Sequence, residues 1–124
     1  MHARSSVTWW LPVIAWAALI FTLSSISLFP AGVRPLLSWS SFWHCCMYAV
    51  LAFLCARAFD HTLSSPRKQS VRFFAVLLAI AYAFSDEYHQ SFVPLRDPSI
   101  VDIAYDSIGA VIGALSYRGS GRSR

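Results

Sequence analysis

The sequence predicts an all-α, polytopic membrane protein: a single domain over residues 1–124 with four transmembrane helices and both termini on the cytoplasmic side. Three observations lead there. Hydrophobic residues make up 56% of the chain and charged residues only 13%, whereas about a quarter of a soluble domain is charged. The apolar residues fall in long blocks at 7–29, 42–59, 71–88 and 100–117 rather than in stripes at helical spacing. The ten basic residues divide unequally between the ends of those blocks.

Each block holds at least 18 residues. Eighteen helical residues span about 27 Å, close to the ~30 Å hydrocarbon thickness of a bilayer, and in lipid only closed hydrogen bonding survives. The first block follows Arg4 and so resembles a secretory signal peptide. It is longer than such a segment, lacks a small-x-small cleavage site and carries Trp9, Trp10 and Trp16, so a retained helix is expected. Pro12 falls in its first turns, where a missing N–H costs little. The second block holds Cys45, Cys46 and Cys55. An odd count with no ligand spacing reads as small packing residues, not a disulfide framework. Pro30, Pro35, Pro66, Pro94 and Pro98 all lie between blocks.

Basic residues set the orientation. Arg4, Arg57, Arg67, Lys68, Arg72, Arg118, Arg122 and Arg124 lie on one side, Arg34 and Arg96 on the other. That bias places the termini and the middle loop in the cytoplasm. The net charge of +4 is therefore a lipid-headgroup and topology signal, and no nucleic-acid partner is expected.

With this orientation the polar residues sort to the outer leaflet. Five of the six acids lie between positions 86 and 106. Ser24, Ser25 and Ser27 end the first helix, while His44 and Tyr48 share a face near the start of the second. Asp86, Glu87, His89 and Gln90 end the third, and Asp102 and Asp106 open the fourth. A charge at the bilayer centre costs about 2.5–3.5 kcal/mol on insertion scales, so several gathered at one depth point to one shared polar pocket. Asp102, Asp106, Gly109 and Gly113 form one stripe, whose G-x-x-x-G half admits a close helix contact, within the chain or to a second copy. The short turn with Pro94 and Pro98 is expected to hold Arg96 above the carboxylates.

Plainer roles compete for the same residues. Ser99 and Asp102 match a capping box. Arg96 can be an ordinary ion-pair partner, and His44 a carboxylate-bonded interfacial histidine. Asp86, Glu87, Asp102 and Asp106 could serve as oxygen ligands to a hard cation. They equally suit charge compensation by Arg96 and the histidines, so no metal and no cofactor is assigned.

The run D86-E-Y-H-Q-S-F-V-P-L-R96, followed by Asp102 and G109-A-V-I-G113, resembles the signature of the VanZ-like membrane proteins. W16-A-A-L-I-F-T-L-S-S25 and H44-C-C-M-Y48 resemble that family's first and second helices, so the likeness covers roughly residues 9–116. Three positions depart from it: Ser41, Leu95 and Asp106 stand where the family often has lysine, glycine and asparagine. The resemblance implies an envelope-related membrane protein, since the family's namesake is associated with teicoplanin resistance. It carries pocket roles onto Ser24, Ser25, His44, Tyr48, Asp86, Glu87, His89, Gln90, Arg96, Asp102 and Asp106.

Three functions remain open from the residues. A headgroup-binding protein would use Ser25, His44, Tyr48, Glu87, Gln90, Arg96, Asp102 and Asp106 on membrane lipids or lipid-linked envelope precursors, with Arg96 as a planar donor to phosphate or carboxylate. A membrane-embedded acid/base enzyme would draw on His44, Asp86, Glu87 and His89. A small proton-coupled transporter is the third, although the inner half of each helix is nearly free of polar residues.

Overall fold

A computed structural model describes residues 6–26, 39–64 and 66–120. The expectations for Arg4, Ser27, Pro30, Arg34, Pro35, Arg122, Arg124 and the Ser41 side chain lie outside them. The chain order is α1 (Ser6–Ser25), α2 (Trp39–Thr62), α3 (Lys68–Gln90) and α4 (Ile100–Ser116). The helices alternate in direction, so the ends of α1 and α3 meet the starts of α2 and α4.

Among the described residues three helices, not the expected four, are long and apolar enough to cross a membrane: α1, α2 from Phe42 to Thr62, and α3. The fourth has 17 residues, giving about 26 Å against a ~30 Å hydrocarbon layer. Its start is held back to Ile100 by the turn that contains Pro94 and Pro98, and Tyr117 at its end is extended (φ −74°, ψ 117°).

The other boundaries also shift for local reasons. The first helix stops at Ser25, short of the expected Phe29, where Arg96 takes its terminal carbonyls. Pro12 lies inside that helix rather than at its edge, so one i→i−4 bond is missing there. The second helix runs past Phe59 to Thr62, whose hydroxyl donates to the Ala58 carbonyl at 2.7 Å.

The packing is small inside and large outside. The buried apolar residues are mostly alanines: Ala52, Ala56 and Ala58 of α2, Ala75, Ala79 and Ala83 of α3, and Ala110 and Ala114 of α4. Large side chains such as Trp43, Phe73, Phe84 and Ile112 are exposed. In water such an exterior would be an aggregation surface; lipid solvates it, and small residues then allow helices to approach. Closest are α2 and α4. A Cβ on Gly109 would overlap the Cys45 carbonyl, and one on Gly113 the Ala49 carbonyl. Both glycines are buried against α2 within the chain. The first helix is fastened by side chains onto backbone: Trp16 Nε1 donates to the Met47 carbonyl (2.9 Å), and Ala17's carbonyl accepts from the Tyr82 hydroxyl (2.6 Å).

The basic end is tied separately. Arg72 donates to the carbonyls of Leu115 and Tyr117, and Asp60, the sixth acid, accepts from the Tyr117 hydroxyl at 2.8 Å. Trp9 stacks on His61 with 3.7 Å between ring centroids, and the Arg57 guanidinium sits over Trp9.

Candidate functional site

Rotation of α3 decides what its end contributes. Val71, Ala75, Ala79 and Ala83 form a buried seam at four-residue spacing, and the next step along it is Glu87. Asp86 and Gln90 flank the seam and are buried with it, whereas His89 turns away. All six polar residues at this end that are buried, Ser24, Tyr48, Asp86, Glu87, Gln90 and Asp106, are at most 5% exposed.

They form two adjoining groups. Between α1, α2 and α3, Asp86 Oδ2 accepts from the Tyr48 hydroxyl and from Gln90 Nε2, each at 3.3 Å. Gln90 Nε2 also reaches Ser24 Oγ at 3.4 Å. Between α2, α3 and α4, His44 Nδ1 lies 3.1 Å from Asp106 Oδ1. Glu87 faces the same pair, so that one donor atom from each of His44, Glu87 and Asp106 lies within 4.8 Å of the others. Three carboxylate oxygens, Asp86 Oδ1, Glu87 Oε1 and Asp106 Oδ2, are buried without a partner. Uncompensated buried carboxylates are costly, so this end of the bundle is chemically incomplete without a proton, an ion or a ligand.

Beside the first group lies a cavity of about 120 Å³, with Ser24, His44, Tyr48, Asp86 and Arg96 as its polar lining and Trp43 and Met47 among its apolar walls. Drug-sized sites run about 300–1,000 Å³. At about 120 Å³ this one is smaller.

Three residues sit differently from their expected places. Arg96 is not held over the carboxylates: its Nη2 donates to the carbonyls of Leu23 (2.7 Å) and Ile26 (3.0 Å). A guanidinium at a helix C-terminus satisfies orphan carbonyls and the dipole together, while the side chain still walls the cavity. Asp102 does not complete a capping box. Ser99 caps α4 by accepting from Val101 N–H (3.2 Å), but its own N–H goes to Glu87 Oε2 of α3 at 2.8 Å. The reciprocal half of the box is thus supplied by another helix. His89 stacks on Phe21 outside the cluster, with Nε2 2.9 Å from Ser25 Oγ. The Ser25 hydroxyl donates to the Phe21 carbonyl at 2.7 Å, so it accepts from His89.

Sequence reasoning passed over Trp43, Met47 and Ser99. The first two flank His44 at −1 and +3 on α2, a neighbourhood that helical spacing alone supplies. Ser99 was read only as a cap of its own helix.

Residues 9–120 match the sequence model of the VanZ/LLP1 family. No curated protein and no solved structure matches the chain.

Proposed function

The chain belongs to the VanZ/LLP1 family, and from that premise we propose a multi-pass protein of the cytoplasmic membrane, termini inward, whose pocket binds the headgroup of a lipid or a lipid-linked envelope precursor. The inward assignment follows from the basic residues Arg57, Arg67, Lys68, Arg72 and Arg118, which gather at the end opposite five of the six acids. The observation that carries the binding role is the cavity itself. A hydroxyl or ammonium of a headgroup meets the unpartnered Oδ1 of Asp86, and an anionic oxygen meets the N–H groups of Arg96 not engaged with α1. Any link to glycopeptide resistance then runs through the lipid precursor.

The test is lipid retention by native mass spectrometry after extraction from mixed-lipid nanodiscs. Wild type is expected to keep one lipid class preferentially, and Asp86→Asn, nearly isosteric, to lose that preference. Identical lipid profiles for wild type, Asp86→Asn and Arg96→Lys would reject headgroup capture. In cells, deletion is expected to alter sensitivity to envelope-directed antibiotics, and Asp86→Asn to reproduce the deletion.

A second reading, a membrane-embedded acid/base enzyme on a lipid-linked substrate, is favoured by one contact. His44 lines the cavity and is oriented by Asp106 behind it, an arrangement that serves a general base. Full complementation by His44→Gln, with no turnover of envelope lipids by wild type, would reject it.

A further inference from the structure

We propose that His44, Glu87 and Asp106 hold a divalent transition-metal ion, Zn²⁺ or Mn²⁺ in class, at the junction of α2, α3 and α4. From the sequence no metal is assigned, because Asp86, Glu87, Asp102 and Asp106 suit a hard cation and charge compensation by Arg96 and the histidines equally. The structure removes that balance. Arg96 directs Nη2 to the end of α1, and His89 bonds Ser25 outside the cluster. Glu87 and Asp106 remain with one imidazole between them, and even a protonated His44 offsets only one of two carboxylates. A divalent ion offsets both.

Geometry supplies the second argument. Ligand atoms at about 2.1 Å from an ion, at right angles, stand about 3.0 Å apart. His44 Nδ1 and Asp106 Oδ1 are 3.1 Å apart. The whole donor set lies within 4.8 Å, and the widest pair closes to an octahedral or tetrahedral edge by a movement of roughly 1–2 Å. Glu87, the longer carboxylate chain, supplies that movement.

The unpartnered atoms supply the third. Glu87 Oε1 and Asp106 Oδ2, on residues 5% and 0% exposed, have no hydrogen-bond donor, and both belong to this cluster. The other Glu87 oxygen is already oriented by the Ser99 N–H, the kind of outer contact that fixes a metal ligand. One nitrogen and two carboxylates suit Zn²⁺ or Mn²⁺, which accept an imidazole beside carboxylates, better than Ca²⁺ or Mg²⁺, which select all-oxygen sets.

The full chain in nanodiscs, without a polyhistidine tag and stripped by chelator, is titrated with Zn²⁺, Mn²⁺ and Ca²⁺ by calorimetry, with metal counted after desalting. The expected result is one Zn²⁺ or Mn²⁺ per chain, bound at least tenfold more tightly than Ca²⁺. Glu87→Gln and Asp106→Asn each weaken binding by about tenfold or more. Pulsed electron paramagnetic resonance of Mn²⁺ on wild type should show coupling to one imidazole nitrogen, a readout that requires no variant to fold. No binding up to about 1 mM, no nitrogen coupling, or undiminished affinity in folded Glu87→Gln and Asp106→Asn would each overturn the assignment. The titration contains no added ligand, so its outcome is separate from that of the headgroup experiment.

Discussion

Replacing Gly109 by alanine should destabilise the bundle and disturb the site at once. In an isolated helix the change would stabilise by about 1 kcal/mol. Here the new methyl would overlap the Cys45 carbonyl, a backbone group that cannot rotate aside. Restoring van der Waals distance moves α4 from α2 by roughly 1 Å, and overpacking of this kind costs about 1–3 kcal/mol. Asp106 lies one turn before Gly109 on the same buried stripe, and His44 directly precedes Cys45. Their 3.1 Å contact would open beyond about 3.6 Å, no longer a hydrogen bond. Asp106 would then have neither oxygen partnered, adding about 1–3 kcal/mol. Offsetting the propensity gain, the net loss is about 3 kcal/mol. A thermal melt in detergent with a thiol-reactive dye can follow it, because Cys55 is fully buried and reacts when the bundle opens. The midpoint should fall by several degrees. A Gly109→Ala protein that melts at or above the wild-type temperature would refute the close approach of α2 and α4.

The same melt reads four further pairs of substitutions. Leu95 has φ 66°, a left-handed conformation that costs a side chain about 1–2 kcal/mol, so Leu95→Gly should raise the midpoint. Leu95→Ala keeps a Cβ and should not; an equal gain from alanine would place the strain elsewhere. Tyr48→Phe removes a donor from Asp86 Oδ2 and should cost about 1–2 kcal/mol, while Tyr82→Phe should leave Asp86 undisturbed and loosen only α1. Arg96→Ala frees the carbonyls of Leu23 and Ile26 and should cost about 1–2 kcal/mol, with Arg96→Lys recovering part of it. Ala83→Leu enlarges a side chain with no exposed surface and should cost about 1–3 kcal/mol, whereas Phe84→Leu on the lipid face should stay within about 0.5 kcal/mol.

The convergence of Ser24, His44, Tyr48, Asp86, Glu87, Gln90 and Asp106 on one end was legible because the sequence left few alternatives. Polar groups inside long apolar blocks cannot face lipid cheaply, and alternating helix direction then assigns each to an end. Depth was readable for that reason; rotation was less so. Asp86, His89 and Gln90 share steps of three and four, a spacing that by itself puts them on one face with Glu87 off it. The face is in fact set by Val71, Ala75, Ala79 and Ala83, whose seam continues to Glu87. Alanines carry no polar signal, and in a soluble protein they would not mark the inside. In lipid the marker of burial is smallness, since Leu and Phe are equally well solvated outside. Read by that rule, α3 shows its inner face in the sequence.

For a different reason Arg96 was misplaced and Ser99 read only as the cap it is: each had two suitable partners, and only the fold decides between them. Five nearby acids made an ion pair the obvious fate of Arg96. Yet the last turn of α1 presents orphan carbonyls at the same height, and a helix C-terminus carries about half a negative charge. Filling that role fastens the 3–4 turn to α1 and withdraws one terminal nitrogen of the arginine from the carboxylates. Ser99 then gives its N–H to Glu87, drawing that acid toward α4 and into reach of His44 and Asp106. Two local choices in one short turn therefore produce the same consequence: acids that the sequence paired with a cation are gathered instead around a single imidazole. What balances Glu87 and Asp106 in this arrangement is not a second cationic side chain, because among the described residues His44 alone is ion-paired with either of them.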